Sequence, residues 1–172
     1  HHLAFDMENR HEWQCGEWLQ MNPPLRTPHD REVLKEALLN GSIEVLATDH
    51  APHTVDENQQ GISGVPQLDT FGAYVCQLAS EGFPWEVLVD RVSTRPAELF
   101  DPFTRGTLGQ LAPGAVASLT IVDPQQTWHI ERSAVRSRAG WSPFEGHPFP
   151  GTILETVVRG KRFNPASSAQ KK

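Results

Sequence analysis

The chain has 172 residues, of which 38% are hydrophobic and 21% are charged, and its formal net charge is −6. This length is sufficient for one domain with a sizeable core, and the mean hydropathy of −0.44 is that of an ordinary soluble protein. The negative charge argues against nucleic-acid binding, which usually needs a basic face, and no apolar run reaches the ~20 residues of a membrane span.

The chain opens on two histidines, without the basic and then apolar leader of a secreted protein. A purification-tag remnant and a cut point inside a longer polypeptide are the two explanations. The two cysteines, Cys15 and Cys76, have no metal-ligand spacing. A single disulfide is one reading, and two free buried thiols in a cytoplasmic protein is the preferred one.

The first regular elements predicted are a helix and a strand. Thr27 suits the N-cap, Pro28 the first helical position and Asp30 the third, where a carboxylate favours the helix dipole. Gly41 supplies the C-terminal stop. The apolar residues that follow predict a strand over 43–48, which completes the helix-then-strand unit of alternating α/β folds.

The stretch Ala-Thr-Asp-His-Ala-Pro-His at 47–53 is the most informative one. An aspartate that ends a buried strand, with a histidine four residues later, suits metal and proton chemistry, because groups at that end of barrel strands face the shared site. A carboxylate that caps the next turn is the structural alternative for Asp49. The segment at 54–66 reads as a long loop, and long ordered loops tend to be lids or binding loops.

Three helices are predicted after this loop. The longest runs from 67 to 81 and ends at Gly82, and two short helices follow at 84–90 and 96–100. The apolar stripe of the longest helix comprises Leu68, Phe71, Val75 and Leu78.

After about residue 105 the sequence pattern changes from one typical of helices to one typical of strands and turns. Apolar and β-branched runs predict strands at 118–122, 128–130 and 153–158, the last followed by a turn at 159–161. The polar tail at 165–172 is expected to fray.

Four motifs occur in order along the chain: His-His-Leu at 1–3, Asn-Pro-Pro-Leu-Arg at 22–26, Thr-Asp-His-Ala-Pro-His at 48–53 and Ser-Pro-Phe-Glu-Gly at 142–146. Together they resemble the C-terminal half of a dihydroorotase, a member of the amidohydrolase superfamily. The resemblance implies an α/β fold, namely the C-terminal part of a (β/α)8 metal-dependent hydrolase barrel plus a small C-terminal β segment. It divides the chain into a partial barrel domain with strands six to eight at 1–105, and the β segment of a composite β-sandwich domain with its tail at 106–172.

The resemblance also implies a site with one or two zinc ions, for which imidazole and carboxylate are suitable ligands. His2 aligns with a metal-binding histidine at the end of the sixth strand; its alternatives are a tag remnant and a surface histidine. Asp49 aligns with an aspartate that binds metal and acts as the general base. Metal lowers the pKa of bound water, and the carboxylate takes the proton and hands it to the departing nitrogen. His50 receives no role.

Substrate-binding residues follow from the same alignment. His53 aligns with a histidine that binds the substrate carboxylate, and a solvated loop histidine is its alternative. Asn22 aligns with an asparagine that hydrogen-bonds the pyrimidine ring, for which an amide carries both donor and acceptor; capping of the Pro-Pro turn is its alternative. Ser63 and Gly64 align with a loop whose backbone contacts substrate, where glycine permits close approach.

Several family features differ or are missing. Asn58 stands where the family often has a lysine, and Gln-Leu-Asp-Thr at 67–70 stands where it often has Gly-x-Glu-Thr. The metal ligands of the first, fourth and fifth strands are absent, and a complete barrel needs ~250 residues. We therefore expect His1–His2 to be a truncation point and the chain to be neither stable nor active alone, because its sheet edges would be open.

The leading hypothesis is a fragment of a dihydroorotase, which interconverts (S)-dihydroorotate and N-carbamoyl-L-aspartate in pyrimidine biosynthesis. The alternatives are another cyclic-amide hydrolase, such as an allantoinase or dihydropyrimidinase, and a non-catalytic dihydroorotase-like subunit. The implied partners are a small-molecule substrate and either a second copy in a homodimer or aspartate transcarbamoylase, with neither nucleic acid nor membrane. The implied location is the cytoplasm.

Overall fold

The computed structural model describes residues 1–164, and the predicted fraying of the tail at 165–172 lies outside them. The chain divides into two compact units. The first unit comprises His1–Ile43, Ala47–Phe71 and His129–Pro148; the second comprises Glu44–Leu46, Gly72–Trp128 and the chain from Phe149 onward. The family-based boundary between residues 105 and 106 stays a prediction.

Helix α1 of the first unit spans Pro28–Asn40 and confirms the predicted start and stop. Thr27 and Asp30 form a capping box, in which the Thr27 hydroxyl accepts the Asp30 N–H at 3.2 Å and the Asp30 carboxylate accepts the Thr27 N–H at 3.0 Å. Gly41 ends the helix with φ = 92°, in the left-handed region that glycine enters without strain.

The core of the first unit is built on aromatic rings. Phe5 packs against Trp13 at a centroid distance of 4.8 Å and against Phe144 at 4.9 Å, and Phe144 is 1% exposed. The Ser-Pro-Phe-Glu-Gly motif therefore contributes to packing. The first unit also holds helix α2 (Val55–Gln59) and short 3₁₀ turns at Asn9–Glu12, Gly16–Trp18 and Arg132–Ala134.

The remaining helices are α3 (Phe71–Ser80), α4 (Trp85–Val89) and α5 (Arg95–Phe100), and a π-helical segment at Asp90–Thr94 joins the last two. The predicted stripe of α3 is partly wrong, because Leu68 is 64% exposed. It lies in a 3₁₀ turn, Leu68–Thr70, whose tighter winding turns it away from the apolar face of the α-helix. That face buries Ala73, Tyr74, Cys76 and Leu78.

The second unit contains a three-stranded antiparallel sheet in the order β1 (Leu119–Asp123), β2 (Thr152–Val158), β3 (Lys161–Phe163). Two of the predicted strands are thus confirmed. Arg159 and Gly160 make the β2–β3 turn with φ values of 50° and 80°, the positive pair typical of a tight hairpin.

The strand predicted over 43–48 is not formed, and residues 1–118, all of which are described, contain no strand. A strand exists only through the ladder that a neighbouring strand provides, and here the Leu46 N–H bonds instead to the helical Arg91 carbonyl at 3.0 Å. The strand predicted at 128–130 is reduced to isolated bridges from Trp128 and Ile130. Mixed helix and strand content is confirmed, whereas the partial barrel with strands six to eight is not.

Two composition-based expectations can be compared with the structure. Cys15 and Cys76 are both free and buried, as predicted. Burial raises the pKa of the Cys15 thiol to about 11, and the nearby Glu145 carboxylate adds to the effect. Within residues 1–164 no helix combines the length and the apolarity required to cross a membrane.

Replacing the N-cap residue of α1 tests the capping box. We expect Thr27→Ala to lower the free energy of unfolding of the intact protein by about 1 kcal/mol, because one backbone N–H loses its acceptor. Thr27→Ser retains the hydroxyl and is the matched control. Urea denaturation compares the three proteins, and equal stability of Thr27→Ala and the parent would contradict the capping role.

The same box predicts a pH dependence. The pKa of Asp30 is lowered from 3.8, chiefly by the hydrogen bond from the Thr27 hydroxyl and then by the Thr27 N–H. A carboxyl group whose pKa falls on folding stabilises the protein above its unfolded pKa and loses that contribution as pH falls through the folded pKa. The stability difference between the parent and Thr27→Ala should therefore narrow between pH 5 and pH 2, as denaturation series at fixed pH would measure.

Candidate active site

His2 and Asp49, the two residues predicted to share a metal, interact electrostatically. The pKa of His2 is lowered chiefly by burial, while the negative charge of Asp49 acts in the opposite direction. The rings of His1 and His2 lie 4.4 Å apart. His2 is therefore a half-buried, neutral imidazole within the field of the Asp49 carboxylate.

The backbone at Asp49 is unusual. Its φ of 47° lies in the left-handed region, and within residues 1–164 only Arg159 among the other non-glycine residues shares a positive φ. Aspartate and asparagine enter this region more readily than most side chains, and residues held there are concentrated at functional sites. The Asp49 side chain is exposed, and a carboxylate is a group type that serves as a general base in enzymes.

Gln67 holds the residues on either side of Asp49. Its side-chain amide donates to the Thr48 carbonyl at 3.2 Å and lies 2.6 Å from His1 Nδ1, while its backbone N–H donates to His50 Nδ1 at 3.0 Å. The Leu68 N–H donates to the same His50 nitrogen at 3.1 Å. His50 is thus occupied as a structural acceptor. We call the bonds of Gln67 to His1, Thr48 and His50 the Gln67 network.

His53 is fixed by its backbone and by two neighbours of its ring. Its N–H donates to the Ala51 carbonyl at 2.9 Å, and its carbonyl accepts the indole N–H of Trp141 at 2.9 Å. The ring is half-buried, and its Nδ1 lies 3.7 Å from a carboxylate oxygen of Glu57. On another side it lies against Gly64: a Cβ built there would sit 2.9 Å from His53 Cδ2.

Gly64 joins the loop at 61–65 to two other segments. Its N–H donates to the Gln20 carbonyl at 2.8 Å, and its carbonyl accepts the side-chain amide of Asn58 at 3.2 Å. Asn58 is fully buried and also donates to the Trp18 carbonyl at 3.2 Å. The segment that carries Asn22, two residues after Gln20, therefore meets the loop that carries Ser63.

The predicted site residues are gathered to different degrees. His53 and Gly64 are in contact, and His2 and Asp49 share an electrostatic interaction. Asn22 and Ser63 are exposed, and neither side chain makes a hydrogen bond within residues 1–164. Sequence reasoning missed Gln67, Asn58 and Trp141 as supporting residues. Gln67 and Asn58 could have been noticed because they depart from the family pattern, whereas no sequence signal indicated Trp141.

The described residues do not by themselves form a complete metal site. Residues 1–164 contain no group of three or more His, Cys, Asp or Glu side chains able to hold one. His2 and Asp49 supply an imidazole and a carboxylate, which are donor types that zinc accepts, but zinc sites use at least three protein ligands. The predicted pair therefore accounts for only part of a zinc site.

Comparison with known proteins gives relatives that share one name. No family model matches the chain. Proteins named dihydroorotase are 40% identical over 147 residues in Geobacter metallireducens, 41% over 149 in Lactiplantibacillus plantarum and 33% over 163 in Pyrococcus abyssi. The chain is related to the dihydroorotases. These matches cover 83%, 83% and 94% of this chain and only 34%, 34% and 38% of the relatives, so the chain spans about a third of their length.

Solved structures extend this relationship to other amidohydrolases. An L-hydantoinase (dihydropyrimidinase) from Arthrobacter aurescens matches with a TM-score of 0.84 and 28% identity over 94% of this chain and 37% of its own. A D-hydantoinase from Thermus sp. matches with a TM-score of 0.79 and 28% identity, covering 93% of this dihydroorotase-like chain and 37% of its own. The predicted resemblance to the superfamily is confirmed.

The contact between Gly64 and His53 gives a direct test. Gly64→Ala should displace the His53 ring and destabilise the protein by about 1–3 kcal/mol, because the new Cβ would lie 2.5 Å from Ala51 Cβ at a φ of 137°. Gly61→Ala is the matched control, since Gly61 also has a positive φ, 86°, but no atom within 4 Å of a built Cβ. Thermal unfolding and the NMR signals of His53 would measure both effects; equal behaviour of the two variants would contradict the contact.

Proposed function

We propose that this chain is part of a dihydroorotase, and that it carries the proton-transferring carboxylate and part of the substrate-binding surface of that enzyme. The observation that carries the proposal is the Asp49 carboxylate, which stands on a left-handed backbone and whose negative charge acts on the half-buried His2 imidazole. The identity of 40% or more to two dihydroorotases supports it.

Asp49 acts as the general base and then as the general acid. Its carboxylate accepts a proton from the water that attacks the ring amide carbon of dihydroorotate. As the carbon–nitrogen bond breaks, the protonated Asp49 donates that proton to the departing nitrogen, and N-carbamoyl-L-aspartate results. The reverse reaction retraces these proton transfers, because the same group is available in both protonation states.

Substrate is held by the residues around the loop at 61–65. His53 binds the substrate carboxylate, and the Asn22 amide, with both a donor and an acceptor, pairs with the ureide edge of the ring. Ser63 contributes its backbone groups. Gly64, whose own N–H and carbonyl bond to Gln20 and Asn58, contributes by letting the His53 ring lie close against the loop.

The metal and the barrel belong to the longer protein. His2 and Asp49 would supply two ligands of a site for one or two zinc ions, and the other ligands would come from residues outside this chain. The chain would correspond to the part of the sequence that forms strands six to eight in a complete barrel, where neighbouring strands would supply the ladders that residues 1–118 lack here. The C-terminal β segment would follow it, and the chain would be inactive by itself. We place the enzyme in the cytoplasm, as a homodimer or in association with aspartate transcarbamoylase.

A second candidate is a different cyclic-amide hydrolase. The TM-score of 0.84 with an L-hydantoinase (dihydropyrimidinase) favours a related ring-opening reaction, and an allantoinase belongs to the same class of alternatives. A non-catalytic dihydroorotase-like subunit is the remaining one. Zinc analysis of the intact protein separates it from the enzymes, since a degenerate relative should bind little metal.

Turnover by the intact protein tests the proposal. We expect hydrolysis of dihydroorotate, measured by loss of its ultraviolet absorbance, and little hydrolysis of dihydrouracil or allantoin. Asp49→Asn should reduce kcat by about 10²–10⁴-fold, because an amide cannot carry the proton. Asparagine also tolerates the left-handed backbone, so Tm should remain near that of the parent.

Asp56→Asn is the matched control, because Asp56 is an exposed aspartate of the same unit that has no proposed role. It should retain the activity of the parent. A preference for dihydrouracil or allantoin, or full activity of Asp49→Asn, would overturn the assignment.

A further inference from the structure

We propose that Trp141 is a positioning residue for His53, and that its indole N–H sets substrate affinity by fixing the backbone from which the His53 ring projects. The proposal rests on the proposed substrate-binding role of His53. No motif in the sequence points to Trp141, which lies 88 positions from His53 along the chain and contacts it only through folding.

The bond between the two residues is well placed to act as an anchor. Trp141 Nε1 donates to the His53 carbonyl oxygen at 2.9 Å, and Trp141 is 0% exposed. An indole carries one donor and no acceptor, so its hydrogen bond has a single direction. If the donor is removed, the His53 carbonyl is buried without a hydrogen-bond donor. The free-energy cost of such an unsatisfied acceptor exceeds the net stabilisation that an average hydrogen bond provides.

Fixing the backbone of His53 also fixes its ring, because the ring is flanked. Gly64 lies on one side of it, and the Glu57 carboxylate lies 3.7 Å from Nδ1. Glu57 is itself held by the Thr54 N–H at 2.7 Å, and its pKa is lowered chiefly by that bond. A shift of the His53 backbone would therefore move the ring out of register with both neighbours.

Trp141 is in turn held by the residues that hold Gly64. Its ring meets the ring of Trp18 edge-on, with a centroid distance of 5.5 Å and an interplanar angle of 81°. The Trp18 carbonyl accepts the Asn58 amide, which also donates to the Gly64 carbonyl. The path from Gly64 through Asn58, Trp18 and Trp141 to His53 thus closes on itself; we call it the Trp141 network.

The Trp141 network does not include the supports of Asp49. The residues beside Asp49 are held by the Gln67 network, which shares no member with the path through Trp141. Loss of the indole donor should therefore weaken substrate binding and leave proton transfer intact. This separation gives a signature in KM and kcat that general damage to the fold would not produce.

The experiment uses the intact protein and two replacements of Trp141. Trp141→Phe removes the donor and part of the ring, whereas benzothienylalanine at position 141 keeps the shape and replaces only the N–H by sulfur. Both should raise KM for dihydroorotate by about tenfold and leave kcat within about twofold of the parent. Trp13→Phe, in the same unit and packed on Phe5 rather than His53, is the control and should leave both constants unchanged.

A double-mutant cycle tests whether the effect passes through His53. In the His53→Ala background, Trp141→Phe should cause no further rise in KM. An unchanged KM in both Trp141 replacements, or an equal rise with and without His53, would overturn the positioning role.

A ligand-free measurement separates this inference from the proposed function. If His53→Ala leaves KM unchanged, the substrate role of His53 fails. The NMR signals of the His53 imidazole in the benzothienylalanine protein then decide whether Trp141 positions it: a changed ring environment supports positioning, and an unchanged one refutes it.

Discussion

The candidate site depends on one backbone constraint, the left-handed conformation of Asp49. A residue with a side chain remains there only if its surroundings hold it, because the conformation is intrinsically unfavourable. Gln67 provides that hold by binding the carbonyl of Thr48 on one side and the ring of His50 on the other. The ring of His50 thus accepts backbone hydrogen bonds, whereas the Asp49 side chain is left exposed.

The Gln67 network and the Trp141 network support different residues of the candidate site. The Gln67 network holds the residues on either side of Asp49, and the Trp141 network joins Gly64 to the His53 carbonyl. The backbone bond from the Ala51 N–H to the Val65 carbonyl, at 3.1 Å, joins the 47–53 stretch to the loop at 61–65. Under the proposed function, proton transfer and substrate binding would therefore depend on different supporting residues, although one segment carries both.

The features that could be predicted from the sequence are local. The Thr27–Asp30 capping box and the turn at Arg159–Gly160 each depend on residues within a few positions, so spacing and residue type were sufficient. The capping box of Thr54 and Glu57 has the same signature, and it starts α2 inside a segment that composition marked as loop. The family motifs located Asp49 and His53 by resemblance, which local patterns alone would have left ambiguous.

The features that could not be predicted depend on partners distant in sequence. An apolar run at 43–48 forms a strand only if a neighbour supplies its ladder, and no periodicity within the run can report that neighbour. Trp141 reads as an ordinary core aromatic until the His53 carbonyl is seen to face it. The role of Gln67 likewise emerges from three bonds that only the folded chain assembles.

The surroundings of Asn58 restrict which side chains can replace it. Two carbonyl oxygens, those of Trp18 and Gly64, converge on its one amide nitrogen in a place that water does not reach. Such a position admits a side chain that gives hydrogens and rejects one that only accepts them, although aspartate has nearly the same shape. Spontaneous deamidation, which is harmless on an open surface, would convert the Asn58 amide into a carboxylate. A carboxylate oxygen would then face the Trp18 and Gly64 carbonyl oxygens without a hydrogen between them, and this repulsion would destabilise the loop at 61–65.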